Sequence, residues 1–342
     1  MSSADSYVYV GLAGETGPGY TVRTGLYRSQ DGETPWERIA GGLPRDAQVR
    51  AIMVHPARPG TVLVGTQDGI YGSQDHGNQW TRLSAPAPGL AVWSLLVHPH
   101  DPDVMFAGYE PCAIYRTKDA GATWQCLPLD VKFPDVTMRP EPQPKRVTGI
   151  AVDPSQSGEI YASVEVGGLL RSLDSGESWE CVTDGLYVTD DAVDLHGVAV
   201  SPAHPRTVNV IGRVGMFRSA DRGAHWGHVP LPPLTLRGTY CRDLRVAPDD
   251  PDTIYVGAGT DFDGDEGALF RSDDNGQTWT RLDLGAKPRS TIFGVDVDPW
   301  EPSRLYCATK GGEVFCSRDR GAAWRAHPLP DGASQVYALA VG

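Results

Sequence analysis

Seven positions of the 342-residue sequence align as the second residue of a recurring strand, and the residue changes from copy to copy: Arg50, Trp93, Thr148, His196, Arg242, Phe293 and Tyr337. The ring has two arginines, one histidine and three aromatic side chains among its seven members, and the arginines would hold a negative charge by directed hydrogen bonds. Arg50 and Arg242 are the expected charge anchors, and Trp93, Phe293 and Tyr109 the expected ligand contacts. His196, Asp243, Tyr337 and Glu110 are the side chains able to give or take a proton beside them. A repeat gains nothing structurally by varying this position in every copy. The competing explanation is that these side chains only plug and cover a channel.

Asp243 falls where other copies carry Ala51, Ser94, Gly149, Gly197, Gly294 and Ala338. A carboxylate in such a column is either paired or carries a perturbed pKa. Arg242 and Arg245 are the neighbouring cations, and Asp296, one copy on, competes for Arg245. A structural ion-pair cluster therefore stands against an acid or base role for Asp243. The segment Thr260-Asp-Phe-Asp-Gly-Asp-Glu266 sets Asp261, Asp263 and Asp265 at alternate places, which suits a hard cation such as calcium. The twelfth place counted from Asp261 is Ser272 rather than a glutamate, so a solvated acidic loop explains the run more simply.

Other chemistry is excluded. There is no His-Glu-x-x-His, no Cys-x-x-Cys, no Gly-x-Ser-x-Gly and no phosphate loop. His55 and His98 precede proline in a column otherwise holding Asp153, Ser201, Ala247 and Asp298, so they read as turn caps. The six cysteines lack metal-ligand spacing. Cys307 and Cys316 are expected to stand nearly opposite across the Gly311-Gly312 hairpin, and Cys112 and Cys126 to fall near each other across a box hairpin, as free thiols. A net charge of −13 argues against a nucleic-acid partner and against charge-driven docking on an anionic membrane. No stretch approaches the ~18 apolar residues of a membrane span. The opening MSSADSYVYV lacks the basic-then-apolar order of a secretion signal, which gives a cytoplasmic expectation.

The elements that must position these residues come from an internal repeat. Gly 40 and Pro 28 make up about a fifth of the chain, against roughly 12% in ordinary domains, which points to many short strands and turns. The pattern Ser/Thr-x-Asp-x-Gly-x-x-Trp occurs at Ser73–Trp80, Thr117–Trp124, Ser172–Trp179, Ser219–Trp226, Ser272–Trp279 and Ser317–Trp324. A seventh copy, Ser29–Trp36, has Gly32 one place early and Glu33 in the glycine slot. The short Asp side chain is suited to accept from backbone N–H groups further along, and the glycine to supply a positive φ. The tryptophan then lays a large ring over the hairpin. Each box is preceded by an aromatic or aliphatic pair such as Ile70-Tyr71 and followed by a short strand such as Trp80-Thr-Arg-Leu83. Upstream lie an inner strand ending in proline, as in Val49–Pro56, and a second strand, as in Thr61–Gly65.

Four short antiparallel strands per ~48 residues is the habit of a propeller blade. Ser6–Gly11 matches a second strand with no first before it, and Val336–Val341 a first strand with nothing after it. The expectation is an all-β, seven-bladed β-propeller of four-stranded antiparallel blades spanning residues 1–342 as one domain. Its ring is closed by N- and C-terminal strands sharing one blade, which leaves no open sheet edge.

With the seven boxes in place, the chain resembles the Asp-box (BNR-repeat), sialidase-like propellers along essentially its whole length. That group includes sialidases, two-propeller xyloglucan-cleaving glycosidases, sortilin-type receptors and a single-ring photosystem assembly factor. The resemblance implies a fold, with boxes on one face and ligands on the other, and leaves the activity open. Sialidase residues do not carry over: no Arg-Ile-Pro occurs, and sialidase catalytic rings have six blades. The opposite face also receives the Pro-rich insertion Gln125–Arg146 and the Thr260–Glu266 loop. The first functional expectation is a non-catalytic binding or assembly propeller whose partner is a protein, a peptide or an anionic small molecule. The second is a glycosidase-like hydrolase or lyase, with Arg50 and Arg242 on the negative charge of a sugar or anionic metabolite.

Overall fold

The computed structural model describes residues 6–14, 22–84, 89–134, 144–186, 190–236 and 238–342; part of the Pro-rich insertion, 135–143, lies outside them. Seven four-stranded antiparallel sheets form, each in the simple order of a meander. Blade I joins the two ends of the chain: Val336–Val341 pairs with Tyr7–Ala13, with Val8 opposite Val341 and Val10 opposite Leu339. Thr24–Gln30 and Glu37–Ile39 complete it. Blades II to VII start from the inner strands Ala51–Val54, Ala91–His98, Arg146–Val152, Leu195–Val200, Tyr240–Val246 and Ile292–Val297. Among the described residues the only helices are two short 3-10 turns, Asp190–Val193 and Pro330–Gly332.

The apolar core lies between blades rather than inside them. Val8, Val10 and Leu339 of blade I pack on Tyr306, Ala308 and Cys316 of blade VII. The I–II junction buries Leu26, Val62 and Trp80, and the remaining junctions repeat the arrangement. Close approach needs glycine in the second strand. A Cβ on Gly65 would stand 2.7 Å from Val92 Cγ1, and one on Gly108 2.3 Å from Ser94 Oγ of the same blade and 2.6 Å from Val147 Cγ1 of the next.

The box turns close as their residue types demand. In six copies the Ser or Thr hydroxyl donates to the Asp Oδ1 at 2.7–2.8 Å. The Ser or Thr hydroxyl oxygen in turn accepts the glycine N–H at 2.7–2.9 Å. Asp Oδ1 accepts the N–H four residues on at 2.8–2.9 Å. The residue before glycine is also left-handed, at φ 53–65°. In the first copy Asp31 (φ 57°) and Gly32 (φ 70°) take these conformations one place earlier, which explains the displaced glycine.

An arginine immediately before the box ties each of five blades to the next. Arg28, Arg116, Arg171, Arg218 and Arg271 donate to the backbone carbonyls of His76, Ser175, Arg222, Asn275 and Arg320 at 2.6–2.9 Å. His55 and His98 are turn caps as expected: their Nδ1 atoms accept the N–H groups of Ala57 and His100 at 3.2 Å. All six cysteines are free. Cys307 and Cys316 stand nearly opposite as expected, one register place apart: Cys307 pairs with Phe315 and Cys316 with Tyr306, while Cys126 pairs with Tyr115.

Candidate functional site

Strand register puts the boxes and the variable ring at opposite ends of each blade. In blade II, Ser73 pairs with Val62 and Gly65 with Ala51, beside Arg50. The ring has a local cause that the sequence did not disclose. The inner-strand register slips between Val92 and Ser94, Val147 and Gly149, Leu195 and Gly197, Cys241 and Asp243, and Ile292 and Gly294. In blade I it slips opposite Gly11–Leu12. The skipped residues are Trp93, Thr148, His196, Arg242, Phe293 and Tyr337. Each is therefore the extra residue of a β-bulge, which bends the strand and re-aims one side chain. Arg50 directly precedes its strand and donates its N–H to Gly65 O at 2.9 Å. All seven line one axial channel of about 500 Å³.

Within the ring, cations lie on aromatic faces. The Arg50 and Arg146 guanidinium carbons are 5.1 and 4.4 Å from the Trp93 ring centre. Arg242 lies 5.0 Å from Phe293 and 5.9 Å from Tyr337. Tyr337 meets Trp93 and Phe293 edge-on at 6.1 and 5.7 Å. Burial pushes the Tyr337 phenol up despite the opposing pull of Arg242, Arg50 and Arg146, so it is neutral at physiological pH. Burial draws the Arg50 pKa down, against the fields of Tyr337 and Glu110. Arg50 donates to its neighbour Gln48. Among the described residues Arg242 makes no hydrogen bond or ion pair, and its Nε is buried without a partner. The Trp93 indole N–H is likewise buried and unpartnered.

The expected acid–base groups separate. His196 is buried, with Nδ1 2.7 Å from Cys241 O and Nε2 3.6 Å from Asp194. Glu110 stands 3.7 Å from Arg146, which also binds Glu165 at 2.9 Å. Asp243 is engaged on both oxygens: Oδ1 accepts from Leu244 N–H at 2.9 Å and Arg245 at 2.8 Å, and Oδ2 from Val295 N–H at 2.8 Å. Arg245 reaches Asp296 at 3.5 Å, and Asp296 accepts the Val341 N–H at 3.0 Å. These carboxylates staple blade VI to VII and VII to I. Asp243 pairs with Arg245 rather than Arg242, because alternation sends residues 243 and 245 to the same side. Burial pushes the Asp296 carboxyl up to about 6, with Arg245 pulling the other way.

Two further expectations are corrected. Tyr109 is fully buried against Tyr115, ring centres 4.8 Å apart, and does not line the channel; the ladder opposite Val92 turns it into the core. Asp261, Asp263 and Asp265 do not converge on a cation position. They accept from the Phe262 N–H, the Lys310 ammonium and the Thr260 hydroxyl respectively. Among the described residues no three His, Cys, Asp or Glu side chains are grouped to hold a metal ion. Conversely, Arg146 and Lys310 belong to the mouth and went unread. They lie outside the bulge column, at the end of the insertion and in the blade VII hairpin.

The family model of Sortilin, neurotensin receptor 3, matches residues 24–158. A xyloglucanase of Hypocrea jecorina is 32% identical over 330 residues, covering 81% of this chain and 38% of that protein. The chain spans 23–38% of the length of the first curated relatives it matches. Among solved structures, the GH74 xyloglucanase from Xanthomonas campestris superposes with a TM-score of 0.64 at 23% identity, over 84% of this chain and 46% of that one. YCF48 bound to D1 peptide superposes with a TM-score of 0.57 at 19% identity, over 91% and 87%. At these identities the two structures carry the propeller fold. Of the groups gathered by the box resemblance, the sortilin, xyloglucanase and photosystem-assembly propellers are matched; the sialidase-like assignment stays an expectation from the boxes. No helix among the described residues is long and apolar enough to cross a membrane.

Proposed function

We propose that the channel mouth opposite the boxes is a binding surface for an anionic group of a peptide, protein or small molecule, and that it does not turn its ligand over. Arg242 is the observation that carries this reading. Among the described residues its guanidinium has no ion-pair or hydrogen-bond partner, it rests on two aromatic rings, and its Nε is buried. An unsatisfied buried donor costs about 1–3 kcal/mol, more when charged, and an anionic ligand would recover that cost. Arg50 and Arg146 on Trp93 extend the same cationic, aromatic surface. A solved propeller of similar fold carrying a bound peptide supports the reading.

A hydrolase is the second reading, favoured by the 32% identity to a xyloglucanase. Glycoside cleavage needs two carboxyl groups flanking one bond. Asp243 and Glu110 are the pair this reading would use, and each already faces an arginine. The two readings separate in a thermal-shift screen of citrate, glucuronate, phenylacetate and phosphate, run beside a reducing-end assay on xyloglucan. The binding reading expects stabilisation by a carboxylate, lost in the Arg50→Ala/Arg242→Ala double variant, with no reducing ends released. Release of reducing ends that depends on Asp243 or Glu110 would replace it.

A further inference from the structure

Lys310 is a cation buried at the channel mouth with its counter-ion supplied from outside. Its side chain is 5% exposed, whereas Asp263, bonded to its Nζ at 2.5 Å, is 79% exposed. The neighbouring Phe262 covers the same ammonium, with Nζ 3.3 Å from its ring centre. Phe262 also packs edge-on against Phe293 at 5.6 Å and Tyr337 at 6.4 Å, both members of the ring. The loop Thr260–Glu266 therefore lays a benzene ring and a carboxylate, adjacent in sequence, onto the aromatic and cationic wall.

Both sides of this contact are held by backbone hydrogen bonds. Lys310 is fixed by its backbone, which donates to Thr291 O and accepts from Gln335 and Val336. The tip of the loop is anchored at its base, by Thr260 N–H to Glu266 O and the Thr291 hydroxyl to Asp261 O. Gly264 allows the tight return, since a Cβ there would lie 2.4 Å from Thr260 Oγ1. Burial draws the Lys310 pKa down while Asp263 opposes it, so the ammonium depends on a carboxylate partner. Arg242, 5.0 Å from the centre of the same Phe293 ring, has no such partner.

We infer that Phe262 and Asp263 are a built-in occupant of the binding surface, and that Lys310 is a second anion position, filled by Asp263 until a carboxylate ligand bearing an aromatic or apolar group displaces the loop. The inference rests on the channel-mouth binding reading and deepens it by naming the ligand class and an internal competitor. Displacement exchanges like for like: a carboxylate for Asp263 on Lys310, and a ring for Phe262 on Phe293 and Tyr337. The loop therefore lowers affinity by the fraction of time it occupies the site.

The test is calorimetric titration of phenylacetate into the full chain and into Asp263→Asn, Asp263→Asn/Lys310→Met and Arg242→Ala. Asp263→Asn leaves the buried Lys310 ammonium without its carboxylate, so the single variant should melt lower than wild type while remaining folded. The expected result is at least fivefold tighter binding by Asp263→Asn, with the gain abolished when Lys310→Met is added. Equal or weaker binding by Asp263→Asn overturns the inference. If wild type binds through Arg242 yet Asp263→Asn gains nothing, the internal competitor falls and the channel-mouth reading stands. If no variant binds phenylacetate, the proposed ligand class falls with it, whereas the carboxylate screen still decides the mouth itself.

Discussion

At the box rim Ser73, Asp75 and Gly77 recur with the same bonds in six blades; at the channel mouth the same strands end in residues that change from blade to blade. The rim satisfies the Ser or Thr, Asp and Gly groups of its turns locally. Its carboxylates are held low by hydroxyls and N–H groups of their own turn, Asp174 and Asp274 at about 2, chiefly by Ser178 and Thr278. The mouth leaves Arg242 Nε and Trp93 Nε1 buried without partners and sets cations against ring faces. At the rim the buried atoms left without partners are the Trp124 indole N–H and the amides of Asn209 and Asn275, whereas at the mouth they include a guanidinium N–H that faces the channel. Repetition marks where the chain stabilises itself, and variation on a fixed bulge marks where it has donors to spare.

The largest effect should come from breaking the rim. Trp80 is buried at the I–II junction and donates its indole N–H to Gly77 O at 2.9 Å. Trp80→Ala should cost about 3–5 kcal/mol in chemical denaturation while leaving ligand affinity at the mouth unchanged. Ser73→Ala removes the acceptor of the Gly77 N–H and should cost about 1–3 kcal/mol by the same measurement.

An exception inside the rim sharpens the comparison. Asn209 takes the place held by Tyr9 in blade I, whose hydroxyl donates to the His76 carbonyl of the next box. Asn275 takes the place of His76 in that next box. Both asparagines are fully buried, and all four amide atoms are unpartnered. Leu63 fills the same column in blade II, so Asn209→Leu should stabilise the protein by about 1 kcal/mol in denaturant melts.

The two regions should also respond to pH with opposite sign. The box carboxylates have lowered folded pKa values. Their stability is present above the unfolded value of about 4 and is lost as pH falls towards about 2. Asp296 has a raised folded value of about 6, so its contribution is complete below about 4 and fades as pH rises through about 6. Unfolding free energy measured from pH 3 to 7 should show a declining component between pH 4 and 6 that Asp296→Asn removes. A profile unchanged by that substitution would mean that Asp296 does not titrate in this window.

Legibility in the sequence follows the same division. The boxes are short-range chemistry at fixed spacing, so Ser29–Trp36 and its six relatives disclosed the blade number, and the half-repeats at the two ends disclosed closure. The latch arginines were written there too, each directly before a box residue, as in Arg171-Ser172, but their acceptors lie one blade away. Aligning the repeat found the ring, and the bulge that aims it is a property of paired backbones that one strand does not display. Tyr109 was misplaced because strand alternation turns it into the core. Phe262 and Lys310 come together from different blades, 48 positions apart, and only the folded ring makes them neighbours.

The most direct test of the division sets one mouth variant against one rim variant. The carboxylate giving the largest thermal shift in the screen would be titrated calorimetrically into wild type, Arg242→Ala and Asp174→Asn. The account predicts that Arg242→Ala keeps wild-type stability and loses at least tenfold in affinity, while Asp174→Asn melts lower and binds as wild type does. Undiminished binding by Arg242→Ala, or binding lost through Asp174→Asn in protein that is still folded, would contradict it.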